Sequence, residues 1–184
     1  MTWTEHASAR ADLASRRLLQ RGRGQMLQAM SIRDRLEQRA FSGESDEAVV
    51  SVLVAAEHLD QQLSAVMAAH GLTADQYNVL RILRGVHPAG HPRHEIARRM
   101  IHPAPDVTRM LDRLLRRKLI TRVRDPGDAR LSIARVTPAG LALLKRVDPE
   151  VEKVQQKATA MLSPAERKEL VRLCEKLVNA EVNR

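Results

Sequence analysis

Apolar positions recur along the chain with a helical period, then briefly with a strand period, then with a helical one again. From residue 4 to about 39, Leu13, Leu18, Leu19, Met26, Leu27, Met30 and Leu36 stand at loosely helical spacing, interrupted by RGRG at 21–24. One broken helix or two short ones is the expectation there. SGES at 42–45 reads as a turn or hinge. Val49, Val50, Leu53, Val54, Ala56, Leu59, Leu63, Val66 and Met67 then predict a long amphipathic helix that stops near Gly71. TADQ at 73–76 has capping-box spacing, Thr73 accepting from the first-turn amides while Gln76 reaches back. The helix it opens runs through Tyr77, Val79, Leu80, Ile82 and Leu83 and ends before a loop at 85–92. A short helix follows, with Ile96, Ala97 and Met100 as its inner face. HPAP at 102–105 cannot continue a helix but suits a first turn. The next helix places Val107, Met110, Leu111, Leu114 and Leu115 on one side and Thr108, Arg109, Asp112, Arg113 and Arg116 on the other. Two helices joined by a tight turn, the second with a basic outer face, form the helix-turn-helix pattern.

The period then shortens. LITRVR at 119–124 places Leu119, Thr121 and Val123 on one face and Ile120, Arg122 and Arg124 on the other. DPGDAR at 125–130 supplies Pro, Gly and Asp where a hairpin turn needs them, and LSIARV at 131–136 predicts the returning strand. Thr137 followed by Pro138 caps a long helix through Leu141, Leu143, Leu144, Val147, Val151 and Val154. SPAE at 163–166 opens a last helix striped by Leu170, Leu173, Leu177 and Val178. The pattern predicts a mainly α fold with a small β-hairpin wing, a winged helix-turn-helix carrying helices at both ends.

Composition narrows the class. The 184 residues are 43% hydrophobic and 29% charged, too apolar for a disordered chain, and no apolar run reaches the roughly 20 residues of a membrane helix. The N-terminal residues lack the apolar segment of a secretory signal, so the expected setting is cytoplasmic, with no membrane partner. A lone cysteine, Cys174, rules out an internal disulfide framework and a cysteine-based zinc site. His87, His91 and His94 are broken by Pro88 and Pro92 and lack an acidic or cysteine partner, so no metal is expected. With no Gly-rich phosphate loop, no H-E-x-x-H and no nucleophile elbow, neither an enzyme nor a cofactor is expected.

Charge locates the candidate chemistry. The formal net charge is +9, and residues 93–135 alone carry twelve basic and five acidic residues, a net of +7. Such a concentration fits a phosphate-binding surface or a solvated basic face, and the order of elements favours the first. Only Trp3, Phe41 and Tyr77 are aromatic, too few for a surface that stacks single-stranded bases. Double-stranded DNA is therefore the expected partner. Thr108, Arg109 and Arg113 lie on the outer side of the reading helix, with Pro105 at its groove-entering end. Arg109 is the candidate base reader, because a guanidinium bonds guanine O6 and N7 in bidentate fashion. Arg93 and His94, opening the preceding helix, are candidate phosphate contacts. Arg98, Arg99, Arg116 and Arg117 read more simply as solvated flank.

GLTADQYNVLRIL at 71–83, EIARRM at 95–100, VTRMLDRLLRRKLI at 107–120 and RDPGDARLSIARVTPAG at 124–140 together resemble the MarR family of winged helix-turn-helix regulators, over about residues 46–182. The family's usual glycines are replaced by Ile101 at the turn and Lys118 before the first wing strand, two positions where positive φ would strain the backbone. The resemblance implies a sequence-specific transcription regulator, a repressor released from a palindromic operator by a small aromatic or phenolic anion. It implies a homodimer built from a helix at 46–70 and helices at 138–184, around a DNA-binding domain at 71–137; residues 1–45 extend beyond the usual family start and read as an N-terminal helical extension bracing the dimer, the alternative being a disordered basic arm. It further implies that Arg130 enters the minor groove while Asp128 orients the wing; the plainer reading is a surface pair closing a hairpin. By alignment, His58, Tyr77, Asn78, Arg81 and Arg122 stand near the junction where family members hold effectors, although each also reads as ordinary packing or surface. The N-terminal extension and Trp3 are shared with a urate-responsive branch, but Asn78 and Met110 replace that branch's Asp and Arg, so urate itself is not expected. A non-specific architectural or protein-interaction winged helix is the alternative.

Overall fold

The computed structural model describes residues 31–37, 40–102, 106–124, 127 and 131–179. Most of the predicted helical extension at 1–45, with Trp3, lies outside them, as do Pro105, Asp128 and Arg130. The chain divides into two compact units, Met1–His58 and Leu59–Arg184.

In the first unit a single helical turn, α1 (Ile32–Arg35), is closed by Ser31 and Asp34 in a capping box. Arg33 bonds Glu47 through Nε (3.0 Å) and Nη2 (2.5 Å) and lies over the Phe41 ring. These contacts are exposed, so water screens them and their effect stays local. Helix α2 (Glu44–Ala69) begins two residues inside the predicted SGES turn, with Glu44, Asp46 and Glu47 complementing its positive end.

The second unit holds the core. The end of α2 is followed by α3 (Ala74–Gly85), the two-residue strand β1 (His91–Pro92) and α4 (Arg93–Arg99). Next come α5 (Val107–Arg116), strands β2 (Ile120–Arg124) and β3 (Ser132–Val136), then α6 (Pro138–Ala158) and α7 (Pro164–Asn179). The predicted caps form: Thr73 with Gln76, Thr137 on the Gly140 amide, and Ser163 with Glu166. Each satisfies amides that the first helical turn leaves without partners. Val79, Leu80 and Leu83 of α3, Ile96 of α4, Leu111 and Leu114 of α5, Ile120, and Leu144 and Val147 of α6 are almost fully buried in one cluster. Burying a side chain of this size is worth about 1.5–3 kcal/mol, and this cluster fixes the helix-turn-helix against α6.

Four details depart from the sequence reading. The 85–92 loop ends in β1, which pairs antiparallel with β3 (His91 opposite Ala134, Pro92 opposite Ile133), giving a three-stranded sheet in the order β1-β3-β2. Ala97 is exposed rather than inward, because the short α4 turns only Ile96 fully into the core. Leu119 and Ile120 are both buried, since the chain turns from helix into strand between them and the alternation of faces starts only at Ile120. Lys118 takes the expected left-handed conformation (φ 57°), whereas Ile101 does not. The α7 stripe lies open in the single chain, with Leu170 47%, Leu173 45%, Leu177 55% and Val178 78% exposed. No helix among the described residues is long and apolar enough to cross a membrane.

Candidate DNA-binding surface

Helix α5 divides by face, except that Leu115, expected on the inner side, is exposed near the helix's C-terminal end. Val107, Leu111 and Leu114 enter the core, while Thr108, Arg109, Arg113 and Arg116 face outward. Its N-cap is Asp106, whose carboxylate accepts from the Arg109 amide (3.0 Å) and stands 3.4 Å from the Arg109 Nε. The guanidinium is thus pre-aimed toward the helix's leading end, yet its side chain stays 75% exposed. Such an ion pair is weak in water, so a nucleobase edge competes with it at little cost.

Arg93 and His94 are exposed on the first turn of α4. Beside them, Glu95 accepts from Arg98 (2.9 Å) and from Arg99 (3.1 Å), and these two guanidinium bonds hold its carboxyl below the usual range. Arg98 and Arg99 therefore direct part of their charge within the protein, while Arg93 makes no carboxylate ion pair among the described residues.

The wing is tied to the reading helix by Arg122 on β2. Its Nη1 donates to Asp112 Oδ1 (2.7 Å) and its Nη2 reaches the Thr108 carbonyl (3.5 Å). Arg122, Arg93, His94, Thr108 and Ser132 surround a hollow of about 260 Å³ floored by Leu111. Three residues proposed from sequence for DNA, Arg93, His94 and Thr108, thus share a wall with one proposed for an effector.

The remaining effector candidates separate. Asn78 and Arg81 line a second hollow of about 400 Å³ with Arg84, Arg99 and Ile101. Tyr77 is turned inward, 6% exposed, and its hydroxyl donates to Asp148 Oδ1 (2.8 Å) on α6. Burial first, and the bond to that carboxylate second, push the phenol up to about 12. Arg81 lies 5.7 Å over the Tyr77 ring, and Arg84 bonds the second oxygen of Asp148. His58 belongs to the first unit. Among the described residues, no three His, Cys, Asp or Glu side chains cluster as a metal requires.

Two contacts to backbone carbonyls also had no signal in the sequence. Arg117, expected to be solvated flank, donates from Nη1 to the Gly71 carbonyl (2.6 Å), and Arg135 donates from Nε to the Ala89 carbonyl (3.0 Å). Both acceptors are backbone atoms 46 residues away, and no side-chain pattern announces a carbonyl.

Comparison with known proteins agrees with this geometry. The MarR family profile matches residues 70–131, the stretch from the end of α2 to the start of β3. A MarR transcription factor from Planctomyces limnophilus is 35% identical, with 74% of this chain and 98% of that one covered and a TM-score of 0.58. BpsR of Bordetella bronchiseptica, whose DNA binding is regulated by 6-hydroxynicotinic acid, is 26% identical, covering 76% and 99% of the two chains with a TM-score of 0.67. The homoprotocatechuate degradative operon repressor of Escherichia coli is 25% identical over 133 residues, 72% of this chain and 88% of that one. With the split-faced α5, the wing and the caps already in place, these likenesses settle the assignment: the chain belongs to the MarR family of transcriptional regulators, DNA-binding proteins rather than enzymes.

Proposed function

We propose that this chain is a homodimeric, ligand-responsive repressor that reads a roughly palindromic operator and leaves it when a small aromatic or phenolic anion binds. The observation that carries the DNA reading is the outward face of α5, where Thr108, Arg109 and Arg113 stand free of the core beside Arg93 and His94. Arg109 reads a base edge, Thr108 and Arg113 add base or phosphate contacts, and Arg93 and His94 hold phosphates. Pro105, Asp128 and Arg130 complete the contact set at the helix tip and wing. Dimerisation is supported by the open stripe of α7, because an apolar face this long is normally covered. Two-fold symmetry then predicts half-sites about one helical turn apart.

Release is supported by the hollow around Arg122. An aromatic carboxylate there would meet Arg93, His94 and Arg122 and compete with the phosphates those same groups would bind. Asn78 and Arg81 at the second hollow offer another locus; Tyr77 and His58 are effector candidates on sequence grounds alone. Two relatives are named for aromatic acids, homoprotocatechuate and 6-hydroxynicotinic acid, and that chemistry suits a hollow walled by guanidinium groups.

Selection of duplexes from a randomised pool, together with footprinting of the DNA beside the gene, tests the reading. Arg109→Ala should lose preference for the selected duplex by about 1–3 kcal/mol, whereas Arg130→Ala should weaken binding to every duplex alike. Unchanged affinity in both variants sinks the recognition scheme. Equal, salt-dependent binding to selected and random duplexes favours the architectural alternative. A panel of hydroxylated aromatic acids, 6-hydroxynicotinate first, should displace the selected duplex; failure of the whole panel removes the effector class.

A further inference from the structure

Helices α2 and α5 end in the same backbone motif. At the end of α2, Gly71 N bonds Ala68 O (2.9 Å) and Leu72 N bonds Met67 O (2.9 Å), with Gly71 left-handed at φ 68°. At the end of α5, Lys118 N bonds Leu115 O (2.8 Å) and Leu119 N bonds Leu114 O (3.0 Å), with Lys118 left-handed at φ 57°. Both are Schellman closures, and each buries the apolar pair that accompanies the motif, Met67 with Leu72 and Leu114 with Leu119. Two helix termini are therefore fixed in orientation by their own hydrogen bonds and by the core.

Arg117 stands between them. Its backbone amide caps α5 by bonding Arg113 O (3.2 Å), and its guanidinium spans to the Gly71 carbonyl at 2.6 Å. A charge-assisted bond this short, to a rigid acceptor, holds direction as well as distance. Nearby, His70 bonds Glu150 (3.0 Å), while Tyr77 and Arg84 bond Asp148, acceptors that both lie on α6. Arg117 joins the back of the reading helix directly to the terminus of the long helix.

We propose that Arg117 is a positioning residue that sets how far apart, and at what mutual rotation, the two reading helices of a dimer stand, so that it governs tolerance of half-site spacing rather than choice of bases. This rests on the dimer and two-half-site reading above. Inserting one base pair between half-sites moves the second by about 3.4 Å and turns it by about 35°, and a stiff lobe pays for that mismatch while a loosened one follows it. Arg117 itself is exposed and outside the base-reading face, so its replacement leaves the core and the contact set intact.

The test uses the full chain and a duplex selected from a randomised pool, with variants carrying one base pair more or fewer at the centre and a further variant altered at one contacted base. Wild type should lose about tenfold or more in affinity for the respaced duplexes, the equivalent of about 1.4 kcal/mol. Arg117→Gln and Arg117→Ala should shrink that penalty to about threefold or less while the penalty for the altered base stays at its wild-type value, and Arg117→Lys should restore part of the spacing penalty. Spacing and base penalties that fall together in the variants, or a spacing penalty that does not move, overturn the proposal. A wild-type protein indifferent to spacing overturns the two-half-site reading, and the proposal with it.

Discussion

Tyr77, an effector candidate by alignment, also has a structural role. Its hydroxyl is committed to Asp148, whose other oxygen is held by Arg84, so α3 and α6 are joined through a single carboxylate. Because Tyr77 is the chain's one tyrosine, its titration is directly visible. Phenolate absorbance should rise around pH 12 in the native protein and near the ordinary value of about 10 in the denatured one. The sign follows: with the folded value raised, the stabilisation is fully present below about pH 10 and is lost as pH climbs from there through about 12. A native transition already complete near the ordinary value would show that the burial of Tyr77 and its Asp148 contact are not kept in solution. At this scale the sequence was informative wherever an interaction is local. Thr73 with Gln76, and Ser163 with Glu166, were legible because a cap is decided within four residues. Tyr77 with Asp148 and Arg117 with Gly71 were not, since partners 71 and 46 residues apart meet only after the helices have packed.

Among the elements, the helices and both long strands lie close to where the hydrophobic period placed them, because burial of one face is what selects that period. Strand β1 was invisible for the opposite reason. Two residues, one of them proline, carry no period, and they become a strand only by pairing with β3. The joint between wing and α6 is another feature that needs coordinates. At Gly140 in the first turn of α6, an added Cβ would stand 2.4 Å from the Leu119 carbonyl oxygen and 2.8 Å from Val136 Cγ2. The carbonyl belongs to backbone that also receives the Thr137 amide (3.0 Å), so it cannot swing away cheaply. Gly140→Ala should therefore destabilise the fold by about 1–3 kcal/mol, read as a lower midpoint in thermal unfolding. An unchanged midpoint would mean that the helix and strand approach each other less closely than described.

For the whole molecule, the proposed assembly turns on α7. Its Leu170, Leu173 and Leu177 are apolar, three and four residues apart and exposed, while none of its residues is buried. Leu173→Glu and Leu177→Glu should convert the proposed dimer to monomers in sedimentation experiments at micromolar concentration, with operator affinity falling steeply because each lobe then binds alone. Dimers that persist in both variants would place the seam elsewhere. Charge distribution belongs to this scale as well: the +7 of residues 93–135 was read from the sequence, but only the fold separates Arg113 and the exposed Arg109, loosely paired with Asp106, from Arg98, Arg99, Arg117 and Arg122, which bond other protein groups more closely.

Strand β3 is paired along both edges, with β2 on one side and with the His91–Pro92 pair that leads straight into Arg93 and His94 on the other. A slip of one residue would turn Ala134 and Val136 away from the core and shift the entry to α4 in the same step. The outer face of α5 is under no such bond, since its side chains end in solvent. Descendants of this chain can thus revise the sequence they read one side chain at a time, while the frame that presents those side chains is inherited whole or lost whole.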